Sequence, residues 1–177
     1  PDESQLYVAN VEDGSVSVIE TQDLTEVARI PVGAAPVQVG FTPSGDQVYV
    51  SLRDENRVAV IDTASREVTN RIDVGPNPIQ MVATPDGAYV YVANQGTDAE
   101  PNNTVSVIDT ATGQVVKTLT TGGGAHGVSA STDGAFVFVT NIADDTVSII
   151  DVGSQEGVKT VPVGDRPNGI VYGGSSR

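Results

Sequence analysis

AHGVSASTDGAFVFVTNIADDTVSIIDV, residues 125–152, reads as three short strands in series. AHGVSA leads into the turn STDG, FVFVTN into the turn IADD, and TVSIID closes the stretch. Each run is rich in β-branched or aromatic residues and is bounded by Asp, Gly, Ser or Thr, the pattern of strands joined by hairpins. In STDG the Asp side chain can cap the turn, and the Gly supplies a positive φ. No apolar period of 3.6 residues persists here or elsewhere, so essentially no helix is expected.

The same register recurs along the chain. LYVAN (6–10), VYVSL (48–52), VYVAN (90–94) and VFVTN (137–141) are spaced 42, 42 and 47 residues apart. VSVIE (16–20), VAVID (58–62), VSVID (105–109) and VSIID (147–151) follow at the same offset, as do PVG (31–33), DVG (73–75), TTG (120–122) and PVG (162–164). The second unit spells the whole repeat: PVQVGFT, QVYVSL, VAVIDT and EVTNRIDV are four strands in about 42 residues. Repeats of this length built only from short strands indicate a solenoid or a propeller. Four-stranded antiparallel blades repeated around an axis make a β-propeller, the all-β fold class expected here. The expected organisation is one propeller domain or segment over 1–177, with units at about 1–35, 36–77, 78–124 and 125–166 and a closing strand at 167–177.

The recurring YVAN and FVTN, in the context PIQMVATPDGAYVYVANQ and AHGVSASTDGAFVFVTN, resemble the YVTN-type β-propeller repeat family over essentially the whole chain. The resemblance implies that PVQVGFT-type strands lie innermost and EVTNRIDV-type strands outermost. The first unit then lacks an inner strand, and GIVYG (169–173) is expected to complete a blade and hide two strand edges. Four blades in one chain, or half of an eight-bladed ring made by two chains exchanging terminal strands, both fit this count. A four-bladed ring splays its blades by about 90° and needs bulky filler, whereas the chain has no Trp and only three Phe, which favours the two-chain ring.

Composition narrows the function. The net charge is −14, from 23 acidic and 9 basic residues, so the surface repels phosphate backbones and no nucleic acid partner is expected. There is no cysteine, which removes disulfides and thiolate chemistry. No run is apolar enough to insert into a membrane. The chain opens at Pro1, without Met, and is read as a processed or excised piece. An acidic, lysine-poor surface suits an extracellular, cell-surface or periplasmic place.

In the order that the resemblance implies, two sets of loops share one face. GAAP, GPNP, GGGA and GDRP precede the inner strands, and NVEDGS, LRDENR, NQGTDAEPNNT and NIADDT join the second and third strands. The candidate channel-mouth residues are His126, Asn77, Arg166, Asn168, Gln38 and Gln80. His126 is the only histidine and opens an inner strand; its plainer reading is one variant of a turn made four times. The insertion at 95–104 carries Asp98, Glu100, Asn102 and Asn103, oxygen donors of the kind Ca²⁺ takes, at a spacing unlike an EF-hand. The aspartates of NIADDT and LRDENR are expected to satisfy turn backbone groups. Asp62, Asp109 and Asp151, with Glu20 in the same place, are expected to cap the turns after the third strands.

No nucleophile elbow, H-E-x-x-H, phosphate loop or dinucleotide fingerprint is present. No cofactor is expected from these residues, Ca²⁺ being the one ion the insertion would suit. The preferred function is therefore a non-enzymatic binding or scaffold propeller offering loops to a protein or glycan. The alternative implied by the resemblance is a propeller enzyme or cofactor carrier, a lactonase-like hydrolase or a heme d1 or quinone redox protein, with its site at the channel mouth.

Overall fold

The structure is a computed structural model, and it describes residues 3–173. The fold is the expected all-β propeller architecture, with four antiparallel sheets in chain order. Blade 1 holds β1 (Gln5–Asn10), β2 (Ser15–Glu20) and β3 (Thr25–Pro31). Blade 2 holds β4 (Pro36–Phe41), β5 (Gln47–Leu52), β6 (Arg57–Asp62) and β7 (Glu67–Asp73). Blade 3 holds β8 (Pro78–Ala83), β9 (Tyr89–Gly96), β10 (Pro101–Asp109) and β11 (Gln114–Thr120). Blade 4 holds β12 (Ala125–Ala130), β13 (Phe136–Asn141), β14 (Thr146–Asp151) and β15 (Glu156–Pro162). The sole helical element among the described residues is a single 3₁₀ turn at Arg53–Glu55.

Each hairpin has a local chemical cause. In the turns between first and second strands, Gly45, Gly87 and Gly134 adopt φ of 80°, 72° and 72°, and their N–H groups donate to the carbonyls of Thr42, Thr84 and Ser131. Between third and fourth strands, the carboxylates of Asp62, Asp109 and Asp151 accept the backbone N–H of Ser65, Thr112 and Ser154 at 2.7, 2.7 and 2.8 Å. Glu20 departs from this set. It accepts from Gln5 Nε2 at 2.7 Å and pairs with Arg66, while Asp23 caps the turn through Thr25.

These caps bear on stability against acid. The backbone N–H and hydroxyl of Ser65, Thr112 and Ser154 hold the three carboxyls below the ordinary carboxylate range. A folded pKa that is lowered adds stability above the unfolded value and loses it as pH falls through the folded value. Asp109→Ala is therefore expected to lower Tm at neutral pH. The difference from the parent chain should vanish in acid, where both states carry a protonated carboxyl; thermal melts across pH check this.

The core is a series of seams between successive blades. Tyr7, Val16 and Val18 of blade 1 pack against Val48, Val50 and Ile61 of blade 2. Tyr49, Val58 and Val60 meet Val90, Val92 and Ile108. Tyr91, Val105 and Val107 meet Val137, Val139 and Ile150. One face of each sheet thus leads and the other trails, and equivalent positions carry every seam.

Residues 169–173, expected as a closing strand, form no ladder and contact blade 4 through Tyr172. Tyr172 N donates to Ser129 Oγ at 3.0 Å, and its ring stacks on Phe138 with centroids 5.6 Å apart. The expected closing unit also includes 174–177, and the first unit includes 1–2, all outside the described residues.

Candidate functional site at the channel mouth

The inner strands β4, β8 and β12 lie side by side, β8 touching both of the others, and share one irregularity. In β4 the register passes from Pro36↔Leu52 to Val39↔Val50, so Val37 and Gln38 together oppose Ser51. The same bulge places Ile79 and Gln80 opposite Ala93, and His126 and Gly127 opposite Thr140. A bulge removes residues from the ladder and re-aims their side chains. Hydroxyls replace the missing partners: Gln38 N donates to Ser51 Oγ at 3.1 Å, and Gly127 N to Thr140 Oγ1 at 2.7 Å. The candidate residues Gln38, Gln80 and His126 therefore all sit in bulges at the start of inner strands.

The loop before each inner strand is a repeated left-handed turn. Ala35, Asn77, Gly124 and Arg166 occupy it with φ of 48°, 48°, 69° and 49°. Acidic and amide side chains of the neighbouring hairpins hold these turns. Glu55 accepts Ala34 N at 2.6 Å and Asp144 accepts Gly123 N at 2.7 Å within their own blades. Asn56 accepts Asn77 N at 3.0 Å and Asp145 accepts Arg166 N at 2.8 Å from the following loop. The expected turn-satisfying role of these loops is observed, except that Asp54 pairs with Arg53 instead.

His126 is half-buried, and its Nδ1 lies 3.0 Å from the Asn168 carbonyl. A carbonyl only accepts, so Nδ1 carries the hydrogen and the Nε2 lone pair is left available. Burial pushes the imidazole pKa down, against a smaller opposing effect of the Asn168 carbonyl, and the ring is neutral at physiological pH. Thr140 Oγ1 also reaches the Asn168 carbonyl, at 3.5 Å. Thus the structure joins His126 and Asn168. It ties Gln38 to blade 3, because Gln38 Oε1 accepts Met81 N. It commits Asn77 to the turn, where Nδ2 donates to the Gly96 carbonyl at 2.9 Å.

Arg166 reaches out to Asp98 of the insertion at 3.6 Å, with both side chains largely exposed. Elsewhere in the insertion Asn102 Oδ1 accepts Thr104 N and Oγ1, and the Glu100 carbonyl accepts Thr97 N. Among the described residues no group of three or more His, Cys, Asp or Glu side chains is placed to hold a metal ion.

Three residues not singled out in the sequence prove central. Asn94 and Asn141 are fully buried and bridge strands, each donating Nδ2 to two hydroxyls: Thr104 and Ser106, and Thr146 and Ser148. Thr140 supports the His126 bulge. Their signal was the Asn ending VAN and VTN, followed by a T-V-S hydroxyl pair on the next strand.

Comparison with known proteins changes the cofactor expectation. A family model described as the cytochrome D1 heme domain matches residues 1–79 and 57–170, two spans whose overlap reflects the internal repeat. No curated protein matches the chain. Among solved structures, hydrazine synthase of Kuenenia stuttgartiensis is similar at 27% identity and a TM-score of 0.84, over 91% of this chain and 46% of that one. Dihydro-heme d1 dehydrogenase NirN in complex with DHE shares the fold at 21% identity and a TM-score of 0.77, over 96% of this chain and 37% of that one. A functionally unknown protein from Desulfotomaculum acetoxidans shares it at 19% identity and 0.75, over 94% of this chain and 56% of that one. The chain thus spans less than two thirds of each of these structures.

The expectation of no cofactor beyond Ca²⁺ is overturned by the family match, which points to heme. The physical reason lies in ligand counting. One imidazole is too few for a site built wholly from protein ligands, but heme iron brings four nitrogens of its own and asks the protein for one or two axial groups. With four antiparallel blades and a family match covering nearly its whole length, the chain belongs to the cytochrome D1 heme domain family of β-propellers.

Proposed function

We propose that this propeller holds a heme-related tetrapyrrole at the channel mouth, where His126 would hold it through its iron. The observation that carries the reading is the placement of His126: half-buried, with Nδ1 3.0 Å from the Asn168 carbonyl, which leaves Nε2 as the acceptor. Metal-ligating histidines ordinarily hold their second nitrogen in this way, which fixes the tautomer and the ring plane. A bound heme would supply an iron centre for electron transfer or for binding a small ligand. The chain's own residues would orient the imidazole through Asn168 and Thr140, and Arg166, Gln38 and Gln80 would border the site. Redox or cofactor-carrying chemistry is favoured over hydrolysis, because among the described residues no nucleophile is hydrogen-bonded to the imidazole. We further propose an extracellular or periplasmic place, supported by the acidic, lysine-poor, cysteine-free composition, and YVTN-type repeats, supported by YVAN and FVTN.

Titration of the chain with heme d1 and, in parallel, ferric protoporphyrin IX tests the site by absorption and electron paramagnetic resonance spectra. His126→Ala is expected to weaken binding of at least one of them by roughly ten- to a hundred-fold and to change the iron spin state. Added imidazole is expected to restore the spectrum. Spectra that match free heme with the parent chain, or that are the same for parent and variant, sink the proposal.

A second reading, a loop-presenting module for a protein or glycan, is supported by residues 97–101, which are exposed throughout. Ligand-dependent stabilisation by a glycan panel, abolished by deleting residues 97–100, would favour it.

A further inference from the structure

The insertion of blade 3 carries the residue pattern that accepts N-linked sugar, Asn102-Asn103-Thr104. The chain has nine asparagines, and Asn102 alone is followed two places later by Ser or Thr. The pattern thus falls in the one segment that lengthens the repeat from 42 to 47 residues.

The structure puts this segment on an outward hairpin. Residues 97–101 and Asn103 are exposed, and Asn102 is partly exposed. The register passes from Pro101↔Gly96 to Thr104↔Asn94, so Asn102 and Asn103 together oppose Gln95. Such a bulge takes residues out of the ladder and re-aims their side chains. The backbone beneath them is nevertheless held. The Asn102 carbonyl accepts Gly124 N and the Asn103 carbonyl accepts Thr121 N, both at 2.8 Å.

The amide of Asn102 is bonded differently from those that build the frame. Nδ2 of Asn10, Asn94 and Asn141 donates to hydroxyls on the neighbouring strand. Nδ2 of Asn70 and Asn77 donates to the carbonyls of Gly113 and Gly96. Asn102 is held by its oxygen instead. Its Oδ1 accepts Thr104 N at 3.0 Å and Thr104 Oγ1 at 2.6 Å, and its Nδ2 donates to no described residue. A substituent on that nitrogen breaks no hydrogen bond among the described residues.

We infer that Asn102 is a site of N-linked glycosylation, taking an oligosaccharide from a lipid-pyrophosphate donor. In the transfer Nδ2 bonds to the anomeric carbon of the sugar, and the bond from that carbon to the pyrophosphate oxygen breaks. The amide loses one proton, the lipid pyrophosphate leaves, and nothing is oxidised or reduced. The glycan, bulky and solubilising, stands on the loop face next to the Gly124 turn. Sugar transfer of this kind belongs to chains that leave the cytoplasm, so the inference rests on the extracellular or periplasmic reading. It does not depend on heme.

Peptide mapping by mass spectrometry, on the chain recovered from fractionated native cells, tests the site. The tryptic peptide that follows Arg71 and ends at Lys117 contains Asn102 and is expected to carry a glycan mass on that residue. Asn102→Asp, produced in the same cells, is expected to lose the whole increment. This variant keeps an oxygen to accept Thr104, so it retains the fold. Thr104→Ser keeps the hydroxyl of the acceptor pattern and is expected to keep the glycan. An unmodified Asn102 in a chain recovered outside the cytoplasm overturns the site and leaves the extracellular reading standing. So does an increment that survives Asn102→Asp. A chain confined to the cytoplasm overturns both.

Discussion

Tyr91→Ala is expected to destabilise the chain by about 3–5 kcal/mol, the range for emptying a large aromatic site in a close-packed core. Tyr91 is fully buried in the seam between blades 3 and 4, among Val105, Val107, Val137 and Val139. Tyr91→Phe should do the opposite, leaving stability unchanged or raising it by about 1 kcal/mol. The reason is the hydroxyl. In blades 1 and 2 the equivalent Tyr7 and Tyr49 hydroxyls donate to Gln5 and Gln47, two residues earlier on the same strand face. Blade 3 has Tyr89 there, and the buried Tyr91 hydroxyl has no described partner. Blade 4 already places a phenylalanine, Phe138, at this position.

The same burial pushes the Tyr91 pKa up to about 12. A raised folded pKa means that stability is complete below the ordinary tyrosine pKa and declines as pH rises towards the folded value. Denaturant melts should show alkaline destabilisation beginning near the ordinary phenol pKa, about 10, and Tyr91→Phe should remove the part due to this residue. A phenylalanine variant less stable than the parent at neutral pH would refute this account of the hydroxyl.

Gly122→Ala is expected to cost about 1–3 kcal/mol, the usual penalty of overpacking. Its new Cβ would stand 2.8–2.9 Å from Cγ, Nδ2 and Cβ of Asn141. Asn141 cannot swing aside freely, because it is fully buried and its Nδ2 is shared between Thr146 and Ser148 at 2.9 Å each. Its Cβ is also fixed by the β13 backbone. Gly75→Ala meets Asn94 in the same way and should cost a similar amount. Gly40→Ala is the control: it lies within β4 with nothing near its would-be Cβ, and its effect should stay within about 0.5 kcal/mol. Equal losses at Gly40 and Gly122 in chemical denaturation would assign the effect to the backbone instead of the asparagine.

The fold was legible in the sequence because its determinants are local. Strand pairs such as VYVAN and VSVID are decided by β-branched residues and by turns of four or five residues. Gly87 and Asp109 act within their own hairpins, as read. Glu20 was misread as a cap because alignment places it with Asp62; the turn instead uses Asp23, and the longer Glu side chain reaches Gln5 and Arg66. The closing strand expected at 169–173 forms no ladder within the single chain, where its contacts lie along blade 4. His126 and Asn168 were both singled out, but their contact was not legible, as it joins positions 42 residues apart. The Asn141–Gly122 packing is likewise non-local. Heme was underestimated because counting imidazoles measures protein-built metal sites and not sites where a macrocycle brings most of the ligands.

The bulges at the inner strands have an evolutionary consequence. Residues 37–38, 79–80 and 126–127 stand outside the ladder, and at two of the three places a hydroxyl on the neighbouring strand takes up the freed N–H. A change of side chain there leaves the strand ladder untouched, although Gln38 also reaches Met81 of blade 3 and a Cβ on Gly127 would crowd Asn168 and Thr140. The channel mouth can therefore drift in chemistry, from Gln to Gly at one bulge position and from Val or Ile to His at the other, without a change in the ladder. A repeat copied several times could diversify its centre one position at a time while its frame stayed constant.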